Sequence, residues 1–170
     1  PAGGNGRLYV PEYAPLPDEL QEAVPLQFVD RSLISPRFTA FALPSAPPQL
    51  AHSTDATFGN SLTLLGYELL PPEEDKPLRL LTLWEVEQSL PSDLSFFVHL
   101  IQSDEIVAQH DGLDVAATTL QAGEQFLQPL AMLGATWVPD ELTVMLGVYQ
   151  RKNSVRLPLS DGNDRFVIFP

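Results

Sequence analysis

The stretch that most constrains this chain is Ser95 to Gly112, SFFVHLIQSDEIVAQHDG. Side chains alternate across a strand, so Leu94, Phe96, Val98 and Leu100 share one face while Phe97, His99 and Ile101 take the other. A strand apolar on both faces belongs mid-sheet, with a layer on either side. Gln102-Ser103-Asp104-Glu105 is polar and turn-like. Ile106 to Asp111 then returns, with Ile106 and Ala108 on one face and Val107 and Gln109 on the other.

The same alternation recurs along the chain. In Leu78 to Val86, Leu78, Leu80, Trp84 and Val86 share a face opposite Leu81 and Leu83. In Leu142 to Gln150, Leu142, Val144, Leu146 and Val148 alternate with Thr143, Met145 and Tyr149. Shorter candidates are Arg7–Val10, Leu26–Val29, Phe38–Leu43, Ser61–Leu70, Gln125–Leu130, Val155–Leu159 and Arg165–Phe169, and Gln49–Phe58 holds room for one more. Seventeen prolines and ten glycines punctuate these runs, as turns in an all-β protein require. The pattern predicts an immunoglobulin-like or jelly-roll sandwich of two mainly antiparallel sheets over residues 49–170. Residues 1–48 read as an N-terminal extension packed on the sandwich. It carries edge strands and one short helix, Asp18–Ala23, opened by Pro17 or Asp18 and ended by Pro25.

The chain has 170 residues, 44% of them hydrophobic and 18% charged, which suits a folded domain rather than disorder. Its formal net charge of −13 repels phosphate backbones, so nucleic acid is not an expected partner. Cysteine is absent, which removes disulfides, thiol catalysis and cysteine-based zinc sites. No apolar run approaches the roughly 20 residues of a membrane span. No secretory signal is visible either, so the address of an exported protein would lie upstream of Pro1.

Candidate chemistry is sparse. His99 sits between Phe97 and Ile101 on an apolar strand, and without a second ligand at suitable spacing it reads as a structural polar residue. Asp111 follows at the far end of the hairpin, where it can approach His99, so the two are expected to form a structural hydrogen bond. Adding Ser92 or Ser95 would imitate a hydrolase, but no Gly-x-Ser-x-Gly elbow occurs. Asp161, Asn163 and Asp164 offer oxygens to calcium without EF-hand spacing, and an ordinary Asp-Gly turn is the simpler reading. No phosphate-binding glycine loop is present, and no cofactor or metal is expected. Trp84 and Tyr149 lie inside strong strands and read as core. Trp137, Tyr9 and Tyr13 lie where a ligand can reach them.

Several phrases line up in order with a known family. They are Phe58-Gly59-Asn60 followed by Leu64-Leu65-Gly66-Tyr67-Glu68-Leu69; Leu81-Thr82-Leu83-Trp84; Phe97-Val98-His99-Leu100; Ile106-Val107-Ala108-Gln109-His110-Asp111-Gly112; Ala122-Gly123-Glu124; Leu146-Gly147-Val148-Tyr149; and Arg156-Leu157. Together they resemble the β-sandwich module near the C-terminus of multi-spanning bacterial membrane glycosyltransferases that take sugar from a lipid-phosphate donor. The resemblance covers about Phe58 to Phe169. It departs at Thr118-Thr119-Leu120-Gln121, where the family carries a threonine-rich stretch ending in tryptophan, and at Ser103-Asp104-Glu105, where it carries glycine.

The family's membrane-embedded acidic catalytic residues have no counterpart here. The resemblance therefore implies a non-catalytic, extracytoplasmic accessory domain, periplasmic or on the cell surface and tethered through upstream segments. Such a domain would serve interaction or substrate positioning. Its expected partners are glycan or the membrane-embedded part of the same chain. The alternatives are a stand-alone carbohydrate-binding module and a hydrolase using His99 and Asp111.

The charge yields a direct expectation. At physiological salt the domain should leave duplex DNA and RNA unshifted in a gel-mobility assay, and a salt-sensitive shift would show that the acidic surface hides a basic patch.

Overall fold

The computed structural model describes residues 49–72, 77–113, 115–132 and 142–169, together with the strand backbone of residues 7–11, 27–28 and 38–42. In chain order the strands are β1 (Arg7–Pro11), β2 (Gln27–Phe28), β3 (Phe38–Ala42), β4 (His52–Phe58), β5 (Leu62–Leu70), β6 (Leu78–Val86), β7 (Leu94–Gln102), β8 (Glu105–Asp111), β9 (Gln125–Met132), β10 (Leu142–Gln150), β11 (Val155–Arg156) and β12 (Phe166–Ile168). Among the described residues the helical content is one 3-10 turn, Ala117–Thr119. The expected helix at Asp18–Ala23 lies outside the described residues.

Two antiparallel sheets face each other, as an all-β sandwich requires. One has the order β4-β5-β6-β9. The other has the order β11-β10-β7-β8, with β12 sharing the far edge of β10. β1, β3 and β2 form a small antiparallel sheet of their own, and β1 runs against β9.

The inner faces follow the alternation. Phe96, Val98, Leu100, Leu146 and Val148 are fully buried, and so are Leu62, Leu64, Leu80, Trp84 and Val86 on the facing sheet. Trp84 packs on Phe96 across the gap with ring centroids 4.6 Å apart, flanked by Phe58 and Phe126. The indole N–H donates to the Thr82 hydroxyl at 2.7 Å, which donates to the Gln128 carbonyl at 2.8 Å. A buried polar tip is thereby satisfied without water.

The outer faces depart from expectation in two ways. A second layer does not cover the outer face of β7 among the described residues. Phe97 is buried there, but His99 and Ile101 are half-exposed. β6 is the strand buried on both sides, with Leu81 and Leu83 only 3% and 5% exposed on its outer face. What shields Phe97 is local. It lies opposite Gly147 of β10, and a methyl group built on that glycine would fall 2.3 Å from two of the Phe97 ring carbons. The glycine therefore leaves the seat in which the ring rests.

The hairpin also differs in detail. Ser103 and Asp104 both take positive φ, 49° and 64°, between Gln102 and its partner Glu105. That is the two-residue turn whose twist matches antiparallel strands, made here without glycine. A bulge after Leu100 then sets Ile106 opposite Ile101 while Ala108 stays opposite Leu100. Ile106 and Ala108 thus lie on opposite faces rather than together, because the extra residue shifts the period by one.

Gly147→Ala should drive the Phe97 ring from its seat. The expected cost is about 1–3 kcal/mol of overpacking, read as a lowered urea midpoint. An unchanged midpoint would mean the ring has another place to go.

Candidate functional site

The outer face of the β7 sheet carries a shallow, open pocket of about 260 Å³ lined by Phe97, His99, Asp111, Tyr149, Ser154 and Arg156. Register explains why these residues meet. His99 and Phe97 stand two apart on β7 and so share a face. Asp111 of β8 lies opposite Phe97, which makes it the diagonal neighbour of His99. Tyr149 of β10 is paired with Arg156 of β11, and the turn Arg151–Ser154 between them ends with Ser154 at φ 57°. Val148 accepts a backbone hydrogen bond from Leu157 at 2.8 Å, which holds Arg156 along the sheet.

Arg156 is the organised cation. Its guanidinium carbon lies 4.4 Å from the Phe97 ring centroid, the geometry of a cation–π contact. One of its terminal nitrogens donates to Asp164 at 2.7 Å, and Arg165 donates to the other Asp164 oxygen at 2.7 Å. These hydrogen bonds, Arg156 foremost, hold the Asp164 carboxyl below its ordinary range, against a smaller opposing effect of burial. The cluster is solvent-accessible, so its value lies in aiming the guanidinium rather than in stability.

His99 is half-buried, with its ring 5.1 Å from that of Phe97. Burial pushes its titration below the ordinary 6.5. The Asp111 carboxylate opposes this, while Arg156 and Arg165 add to it. The net balance favours the neutral imidazole. Among the described residues no hydrogen bond joins His99 to Asp111 or to Ser154. The two residues meet by charge, not by the hydrogen bond expected of them. His110 points to the opposite face, opposite Val98, and its Nε2 is buried without a hydrogen-bond partner.

The serines considered for a triad do not reach the pocket. Ser95 is buried against the backbone, its hydroxyl 3.5 Å from the Phe96 carbonyl, and Ser92 is exposed in the turn before β7. Ser154 takes their place at the rim. Asp161 accepts from the backbone and side-chain amides of Asn163 at 2.9 and 2.8 Å, which lowers its pKa. Asp164 is held by two arginines, so the carboxylates named as calcium candidates are engaged by partners within and beside the turn. Among the described residues no group of three or more acidic or histidine side chains is placed to hold a metal.

Trp137 and Tyr13 lie outside the described residues, and Tyr9 is placed by its backbone alone, opposite Ala40. Tyr149 is half-buried at the pocket rather than in the core, because it lies on the face of β10 opposite Val148. Sequence reasoning passed over Phe97, Tyr149, Ser154 and Arg156 as site residues. The available signal is Gly147, a glycine inside an otherwise bulky strand, which marks a close approach.

Comparison with family models, with curated proteins and with solved structures finds no match for this chain. Among the described residues no helix is long and apolar enough to cross a membrane.

The depressed His99 titration sets a pH dependence. The folded state binds fewer protons than the unfolded chain between the folded pKa and 6.5. Its contribution to stability is therefore fully present above 6.5 and is lost as pH falls through that window. Denaturant midpoints measured from pH 7.5 to 5 should fall more steeply for the wild type than for His99→Gln, and parallel profiles would assign the dependence to other groups.

Proposed function

We propose that this is a non-catalytic accessory β-sandwich whose outer sheet face recognises a saccharide. The observation that carries this reading is the Arg156 guanidinium, laid over Phe97 and fixed by Asp164 at the wall of an open pocket. A sugar offers hydroxyls that both donate and accept, beside apolar C–H faces. Asp111 accepts from such hydroxyls, the free guanidinium N–H groups donate to them, and neutral His99 does one at each nitrogen. The Tyr149 ring supplies an apolar wall. Most of these groups sit on paired strands, and the guanidinium is already oriented, so little ordering entropy is lost on binding.

The net charge of −13 favours a neutral glycan over a polyanionic one. Hydrolysis would require a nucleophile hydrogen-bonded to its base and a donor pair for the oxyanion, and recognition requires neither. The likeness of the hairpin phrases to glycosyltransferase-associated modules supports an extracytoplasmic setting. The membrane-embedded part of the same chain is then a second partner.

The test is a titration with neutral oligosaccharides followed by amide shifts. Residues around the pocket should move, and Tyr149→Ala and Arg156→Ala should each weaken binding about tenfold, near 1.4 kcal/mol. No pocket response to any saccharide would sink the proposal. Turnover of an ester or glycoside that Ser154→Ala abolishes would replace it with the hydrolase reading.

A further inference from the structure

β8 is the outermost strand of its sheet. It pairs with β7 on one side and, among the described residues, with no strand on the other. The remaining edges of the sandwich differ from it. The other end of that sheet is made of the short strands β11, with Val155 51% exposed, and β12; on the facing sheet β4 carries small or polar residues, His52 to Thr57, up to its terminal Phe58, and β9 is interrupted by Pro129. β8 is seven residues long, with Ile106 and Val107 52% and 41% exposed. An open edge with exposed apolar side chains invites a further strand, and lysine or proline commonly blocks such edges. The β8 sequence, Glu-Ile-Val-Ala-Gln-His-Asp, contains neither, and its bulge at Ile106–Val107 leaves Ala108 to Asp111 in regular pairing with β7.

Its two ends are acidic, and Asp104 precedes it in the turn. A second copy pairing antiparallel along the whole strand would set Glu105 of one copy against Asp111 of the other, twice by symmetry. Parallel pairing in register would set each acid against itself. Like charges directly opposite destabilise a strand pair, and each copy adds its net charge of −13. An extended segment with a basic residue at each end meets attraction at both positions instead.

We infer that β8 is a docking edge for an extended, basic-ended segment of another protein, which adds a strand to the sheet and packs its apolar side chains on Ile106 and Val107. The acids at its ends keep the edge open by preventing a second copy from closing it. This surface is separate from the saccharide pocket except at Asp111, so the test leaves Asp111 unchanged.

Two measurements decide it. A capped hexapeptide of alternating valine and threonine with a lysine at each end should perturb the amides of Glu105 to Asp111, less so as salt rises. The same peptide with glutamate ends should not. In sedimentation the wild type should be monomeric, while Glu105→Lys, which turns both symmetric repulsions into attractions, should self-associate about tenfold more tightly. Equal response to the two peptides, or none on β8, would overturn the inference. So would a wild type that already dimerises through β8, or a Glu105→Lys variant that associates no better.

Discussion

The contact on which the rest of the structure depends is Trp84 against Phe96, with ring centroids 4.6 Å apart between the two sheets. Both rings are fully buried, and around them the inner faces of β5, β6, β7, β9 and β10 exclude water. Burial of one large side chain is worth about 1.5–3 kcal/mol, so the inward residues together fix which face of each strand is inside. A one-residue slip on β7 would exchange Phe96, Val98 and Leu100 for Phe97, His99 and Ile101. The core therefore fixes the outer face as well. His99 and Phe97 stand on one surface because Val98 must stand on the other.

The pocket on that outer surface depends on one small residue. Gly147 lets Phe97 lie down on the neighbouring strand, and the flattened ring carries the Arg156 guanidinium. Asp164 and Arg165 then set the direction in which Arg156 points. Exposed ion pairs add little to stability, so the chain Gly147, Phe97, Arg156, Asp164 is better understood as a positioning device. It costs the fold a glycine inside a strand and yields an oriented donor beside a carboxylate, an imidazole and a phenol.

The strands were legible because alternation reports burial directly, and the runs at Leu78–Val86, Leu94–Gln102 and Leu142–Gln150 are long and clean. The bulge at Ile106–Val107 was not legible, since nothing in a short apolar run announces an extra residue. The pocket was half legible. His99 and Asp111 stood out as polar residues beside a predicted hairpin, and their approach follows from its register. Tyr149 and Arg156 did not, because their role depends on β10 lying next to β7, and pairing between strands distant in sequence leaves no local mark. Of the two serines weighed for a triad and set aside, Ser95 is buried and Ser92 lies in the turn before β7, whereas Ser154 reaches the rim because its turn brings it back over β10.

The electrostatics of the face bear on which kind of chemistry it suits. A general base for hydrolysis gains from a carboxylate hydrogen-bonded behind it, which raises its affinity for a proton and fixes its tautomer. Here burial and two arginines outweigh Asp111, and the balance favours the neutral imidazole. A neutral imidazole offers one donor and one acceptor; once protonated, it would offer two donors and be drawn to Asp111. Keeping it neutral preserves both the acceptor nitrogen and the free carboxylate at physiological pH. Hydroxyl groups need both kinds of partner. The same balance that makes His99 a poor base therefore suits the saccharide recognition we propose for this face.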